Sequence, residues 1–270
     1  MRVLFSILFL FTANFVSAQN TKPNQSFEIG KIEEIHSAIL NETRTLNIYL
    51  PAGYSADTLK TCPVIYLLDG SANEDFIHIA GLVQFLTMIE KIPPTIVVGI
   101  ANVDRKRDFT FPTTIKKDLL DFPTTGFSTK FISFIEEELQ PFIHSKYSTS
   151  RSKTIIGQSL GGLLATEILL KKPQLFSNYL IVSPSLWWNN ESLLRNPLTE
   201  INKTDSRKVY IAVGKEGQKM EADAKNLADL IRLNKKISLK FTPLPKENHL
   251  TILHNGAYQG LEFLFDAKAN

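Results

Sequence analysis

Ser159 stands in the stretch KTIIGQSLGGLLATEI, residues 153–168, between Gly157 and Gly161. A strand-like Thr154-Ile155-Ile156 enters this turn and a helix-like apolar run leaves it. Glycines on either side permit a tight turn that lifts a serine hydroxyl to the carboxyl end of a strand. The helix behind offers unpaired N–H groups and a favourable dipole to developing negative charge. A bare G-x-S-x-G pattern is common by chance. It is the strand, turn and helix around it that point to attack by Ser159 on an acyl carbon.

A serine hydroxyl is a weak nucleophile until a base takes its proton, and in this arrangement the acid and the histidine follow the serine in the chain. Of the five histidines only His249 and His254 do so. His249, in PLPKENHLTI, follows the strand-like ISLKFTPL on a polar loop that can carry a ring over the sheet edge, and it is the favoured base. His254, near a helix start, is the alternative. His36, His78 and His144 precede the serine and read as structural. The orienting carboxylate is expected after the strand at 209–213, where Glu216 lies nearest the strand end, with Glu221 and Asp223 as substitutes on the helix that follows. An oxyanion hole needs two backbone N–H groups. Leu160 supplies one, and the loop Leu68-Asp69-Gly70-Ser71 supplies the other from Gly70 or Ser71.

These residues need a scaffold. The runs VIYLL, TIVVGI, TIIG, YLIVS and VYIAV are short and almost continuously apolar, the pattern of parallel strands covered on both faces. Segments with apolar residues three or four apart alternate with them, among them FSTKFISFIEEELQPFIHSKY and MEADAKNLADLIRLNKK. Strand and helix in alternation predict an α/β sheet. Before them, FEIGKIEEIHSAIL and TRTLNIYLPAGY alternate as an opening antiparallel pair. The longest irregular piece, 102–126, contains DRKRDFTFPTT and is expected to face substrate.

The chain's 270 residues suit one large domain. Arg2, an apolar run over residues 3–11 and the small-residue pattern Val16-Ser17-Ala18 predict a signal peptide over 1–18. A polar linker over 19–26 and a catalytic domain over 27–270 follow. Thr12, Asn14 and Ser17 interrupt the leader short of the roughly 20 apolar residues of a membrane anchor, so stable membrane insertion of the mature chain is not expected and a secreted or periplasmic location is. One cysteine, Cys62, excludes an intramolecular disulfide. A net charge of +3 without a basic run argues against nucleic acid. The absence of HExxH or a similar histidine and carboxylate spacing argues against a metal, and no cofactor is expected.

Several blocks resemble one family: PVIYLLDG at 63–70, IVVGIANVDRKRDFTF at 96–111, KFISFIEEELQPFIHSKY at 130–147, IIGQSLGGLLATEILL at 155–170 and SPSLWW at 183–188. The chain is similar to the esterase family of α/β-hydrolases that includes enterochelin esterases and related trilactone hydrolases, esterase D-like enzymes, feruloyl and acetyl esterases, and mycolyltransferases. The order of the blocks most resembles the enterochelin esterase-like, siderophore-hydrolase branch. The resemblance implies an α/β-hydrolase fold, a mostly parallel central sheet with antiparallel N-terminal strands and helices on both faces. It implies Ser159 as nucleophile, His249 as base and Glu216 as acid, with a serine–histidine dyad left open. DFTFPTT and ENHLTI depart from the commoner family forms and bear on the substrate more than on the chemistry.

Trp187 and Trp188 follow the strand after the nucleophile helix, where they form a wall for an aromatic group or pack a core. Arg105 and Arg107 hold an anionic substrate, or Arg107 ties down its own loop through Asp108. The expected activity is a serine esterase acting on a small-molecule ester. Carbohydrate acetyl or feruloyl ester hydrolysis and acyl transfer are alternatives within the same chemistry, and a non-catalytic binding protein is the alternative outside it.

Overall fold

A computed structural model describes residues 26–55, 60–195, 200–201 and 206–266. The expected leader at 1–18 lies outside the described residues, as does the linker up to Gln25. Among the described residues eight strands form one sheet in the order β1-β2-β4-β3-β5-β6-β7-β8. They are β1 (Lys31–Ser37), β2 (Glu42–Tyr49), β3 (Cys62–Leu67), β4 (Ile96–Ile100), β5 (Thr149–Gln158), β6 (Asn178–Val182), β7 (Arg207–Gly214) and β8 (Ile237–Leu244). The pairs β1/β2 and β2/β4 are antiparallel, and every other pair is parallel. This is the mostly parallel α/β-hydrolase sheet with antiparallel strands at its N-terminal edge.

The all-apolar strands are buried because helices cover both faces. Adjacent residues such as Ile155 and Ile156 point into separate cores. One core takes α1 (Phe76–Met88) and α8 (Ile252–Phe265) through Ile79, Val83, Ala257 and Leu261. The other takes α4 (Ser128–Phe134), α5 (Gln140–Lys146), α6 (Leu160–Lys171) and α7 (Gln218–Ile231) through Phe131, Ile143, Leu163 and Leu227.

The segment 128–146, which reads in sequence as one helix, carries a π-helical turn at Ile135–Leu139. Phe131, Ile135, Leu139 and Ile143 are all buried at a spacing of four. A stripe of fours drifts around a helix of 3.6 residues per turn, and the wider π turn brings it back toward the sheet.

After β3 the chain steps outward to β4 and then returns across β3 to β5. Crevices for ligands in such sheets open at this reversal, beyond the carboxyl ends of the strands. The loop after β3 and the turn after β5, which hold the oxyanion and serine candidates, therefore lie side by side. Loop and neighbouring strand come so close that a Cβ on Gly70 would stand 2.4 Å from Gly99 Cα, which is why both positions are glycine.

The segment 102–126 is not irregular throughout. It holds two short helices, α2 (Arg105–Phe109) and α3 (Lys116–Asp121). Asp104 caps α2 by accepting the Arg107 N–H at 3.0 Å. The segment is anchored to β2 by a buried ion network in which Arg44 Nη2 lies 2.5 Å from both Glu42 and Asp108. Arg107 joins it, reaching Glu42 at 2.6 Å and Asp108 at 2.7 Å. Arg44 and Asp108 are each 1% exposed, so removing Asp108 leaves the buried Arg44 with Glu42 as its one carboxylate partner in the network and unbalances its charge away from water. Asp108→Ala is expected to lower unfolding stability by about 3 kcal/mol or more in denaturant titration. A loss below about 1 kcal/mol would show that the network does not anchor this segment.

Candidate active site

Ser159, between β5 and α6, has φ 59° and ψ −118°. A side-chain-bearing residue in so unfavourable a region costs on the order of 1–3 kcal/mol and persists only when its surroundings over-determine it. Its N–H donates to the Val182 carbonyl at 3.1 Å, and its own carbonyl accepts from Leu163 N–H at 2.9 Å and Ser185 N–H at 3.0 Å. The turn closes because residue 157 has no side chain: a Cβ there would stand 2.3 Å from the Gly161 carbonyl oxygen. Leu160 opens α6, where backbone N–H groups have no partner within the helix.

The strand next to β5 supplies two more groups. Beyond β6, Ser183 takes a positive φ of 43°, and Ser183-Pro184-Ser185 packs close to the serine turn, where a Cβ on Gly162 would stand 2.9 Å from Pro184 Cα. Ser185 Oγ lies 3.3 Å from Ser159 Oγ, while Ser183 Oγ donates to Glu216 Oε1. The same carboxylate oxygen accepts the Gly214 N–H at 2.9 Å, and Oε2 lies 2.5 Å from His249 Nδ1. An ionised carboxylate can only accept, so this bond puts a proton on Nδ1 and leaves Nε2 as the basic nitrogen. The His249 backbone is tied to the serine turn by Gln158, whose side-chain amide donates to its carbonyl.

The Glu216 side chain is 3% exposed. Burial pushes its carboxyl up, but the bonds from His249, Ser183 and the Gly214 N–H outweigh burial and hold it below the ordinary 4.5. Ser159, Ser185, Glu216 and His249 line one cleft of about 580 Å³, with Trp187, Lys215, Met220 and Asn248 completing its wall. Among the described residues no group of three or more His, Cys, Asp or Glu side chains is placed to hold a metal ion. The arrangement offers a hydroxyl, an imidazole steadied by a buried carboxylate and a helix N-terminus, which are the parts needed for acyl transfer through a serine.

Residues 37–255 match the sequence family described as "Putative esterase". The chain belongs to this family. It is an enzyme, a serine hydrolase acting on ester bonds. It is 31% identical over 268 residues, 87% of this chain and 89% of the other, to the ferri-bacillibactin esterase BesA of Bacillus subtilis (strain 168). Among solved structures it superposes on an IroE-like serine hydrolase from Shewanella oneidensis with a TM-score of 0.79 at 32% identity, covering 87% of this chain and 80% of that one. It superposes on the BES protein from Bacillus cereus with a TM-score of 0.78 at 28% identity, covering 91% and 99%.

The geometry of the esterase decides among several alternatives. His254 stands on α8, where its Nδ1 lies 2.9 Å from His78 Nε2. The histidine beside a carboxylate in the serine cleft is His249. Glu221 accepts the Glu216 and Gly217 N–H groups at 3.0 Å each, so it shapes the loop, and Asp223 is buried on α7. Gly70 does not fit as an oxyanion donor, because its N–H is already given to the Ile100 carbonyl at 3.0 Å. Ser71 N–H makes only a long 3.3 Å bond to the exposed Glu74 carboxylate, which a stronger acceptor can displace.

Both expected substrate arginines are committed elsewhere. Arg107 grips Glu42 and Asp108 in the network above. Arg105 makes a two-pronged pair with Asp69 at 2.5 and 2.9 Å and reaches the Gln158 carbonyl at 3.3 Å. It braces the loop after β3 against the turn before Ser159 rather than standing ready for an anion. Trp188 is fully buried and donates its indole N–H to the Phe111 carbonyl at 2.9 Å, so it packs the core, whereas Trp187 lines the cleft.

Sequence reasoning did not assign roles to Ser183, Ser185, Gln158 or Lys215. The first two lie in the quoted SPSLWW block, and the signal was there to use: a polar residue directly after a fully apolar parallel strand ends at the catalytic edge.

Because the Glu216 carboxyl is held below its unfolded value, it contributes stability that is present above about pH 4.5 and is lost as pH falls through the lower folded value. In thermal melts from pH 6 down to pH 3, the stability gap between wild type and Glu216→Gln should narrow as the pH drops. A gap that stays constant would mean the carboxylate is not stabilised in its ionised form.

Proposed function

We propose that this protein is a secreted serine esterase that cleaves a siderophore-type carboxylic ester through an acyl-enzyme on Ser159. The observation that carries the reading is the Glu216–His249 pair at 2.5 Å in the cleft that also holds the strained Ser159. In this reading Ser159 Oγ attacks the ester carbonyl carbon while His249 Nε2 takes its proton. The tetrahedral oxyanion accepts hydrogen bonds from the N–H groups of Leu160 and Ser71. Its collapse breaks the ester bond, and His249 returns the proton to the departing alcohol. Water then attacks the acyl-enzyme with His249 again as base, releasing the acid and restoring Ser159. Glu216 holds the ring orientation and stabilises the imidazolium each time it forms.

Support for the substrate class comes from the relatives: BesA is a ferri-bacillibactin esterase, and a protein of Escherichia coli O6:H1 that is 26% identical over 188 residues is an iron(III) salmochelin esterase. Any iron would enter with the substrate. Support for export comes from the leader, with Arg2, the apolar residues 3–11 and Ala18 as the last residue removed.

The test uses the chain from Gln19 onward. It follows a catecholate trilactone, a short-chain nitrophenyl ester, feruloyl-arabinose and acetylated xylan side by side. The trilactone is expected to lead by about a hundredfold in kcat/KM, roughly 2.7 kcal/mol of transition-state binding. Ser159→Ala should lower turnover by about a thousandfold or more. Near-wild-type activity in that variant would remove Ser159 as nucleophile, and a lead for either carbohydrate ester would move the substrate class.

A further inference from the structure

The two arginines that the sequence nominates for substrate, Arg105 and Arg107, are both neutralised by carboxylates. Among the described residues Lys215 has no such partner. It follows β7 directly, and its backbone is fixed by an N–H bond to the Glu247 carbonyl at 2.7 Å. It lines the same cleft as Ser159 and His249.

The lysines that follow on α7 are occupied. Lys219 is paired with Glu191, and Lys225 with Asp229 at 2.5 Å. Among the described residues the Lys215 ammonium has no carboxylate within ion-pair distance. The acidic groups around it are otherwise engaged. Glu216 binds His249, Glu221 binds two backbone N–H groups, and the Glu247 carboxylate bonds Asn255.

Trp187 shares the cleft and presents an aromatic surface, with Met220 as a further apolar contact. Lys215 also borders a neighbouring hollow of about 490 Å³ walled by Phe241, Pro243 and Leu244.

We propose that Lys215 and Trp187 form an anionic-arene subsite, which selects esters whose aromatic group carries negative charge close to the bond that Ser159 cleaves. The inference rests on the esterase reading above. It adds which residue selects and what charge it selects. The exposed Lys215 ammonium attracts an anion brought beside it, while an indole face takes up the ring. The same lysine disfavours cationic esters. Arg105 and Arg107 are not part of the selection, because their charge is already compensated.

The test compares matched substrates, phenyl acetate and 4-carboxyphenyl acetate, in wild type, Lys215→Ala, Lys215→Glu and Lys215→Arg. The readout is the ratio of kcat/KM for the carboxylated over the neutral ester. Wild type should favour the anion, and that preference should shrink as ionic strength rises. Lys215→Ala should lower the ratio about tenfold and make it insensitive to salt. Lys215→Glu should lower it further, and Lys215→Arg should restore most of it. A ratio that is unaltered in Lys215→Ala, or that falls equally in Lys215→Arg, overturns the subsite while leaving the esterase reading in place. A wild type that hydrolyses neither ester nor the catecholate trilactone overturns both.

Discussion

Ser159 is held in a backbone conformation that L-amino acids avoid, and the elements around it are arranged so that it cannot relax. Gly157 and Gly161 leave room for the turn, Val182 on the adjacent strand takes its N–H, and Ser185 donates to its carbonyl. Relaxing φ toward an ordinary value would break these bonds and turn the hydroxyl away from the edge of the sheet. The parallel register of β5 with β6 therefore serves the site directly, since it delivers both the bond from Ser159 to Val182 and the Ser183-Pro184-Ser185 turn. That turn touches Ser159 with one hydroxyl and Glu216 with the other, so the two side chains share a single support.

The same logic of neighbouring strand ends explains why the charged residues lie where they do. Asp69, Arg105 and the Gln158 carbonyl form a brace between the loop after β3 and the serine turn. Glu42, Arg44, Arg107 and Asp108 form a second one, under the helices of segment 102–126. An arginine in a loop beside an active site suggests substrate binding when only the sequence is in view. A bidentate carboxylate partner 36 residues earlier in the chain changes that reading.

The elements and chain order of the site were legible in the sequence because they rest on local signals. Continuous apolar runs mark the parallel strands, glycines mark the turn, and the order of serine, acid and histidine follows from which strands end at the catalytic edge. What was not legible depends on contacts between distant segments. Whether Gly70 or Ser71 has a usable N–H is decided by the Ile100 carbonyl, and the role of Trp188 by the Phe111 carbonyl. The π turn at Ile135–Leu139 lies between these cases: a four-residue apolar spacing is visible in the sequence, but its meaning depends on the face it must cover.

The most direct measurement is to react the protein with a fluorophosphonate and locate the adduct by peptide mass mapping. Ser159 and Ser185 have hydroxyls 3.3 Å apart, so the label reports which of the two is activated by the His249–Glu216 pair and not only that a serine is near. One adduct per chain, confined to the peptide that contains Ser159 and formed far more slowly in His249→Ala, is the predicted result. An adduct on Ser185, or no labelling under conditions in which an ester is hydrolysed, would contradict the account.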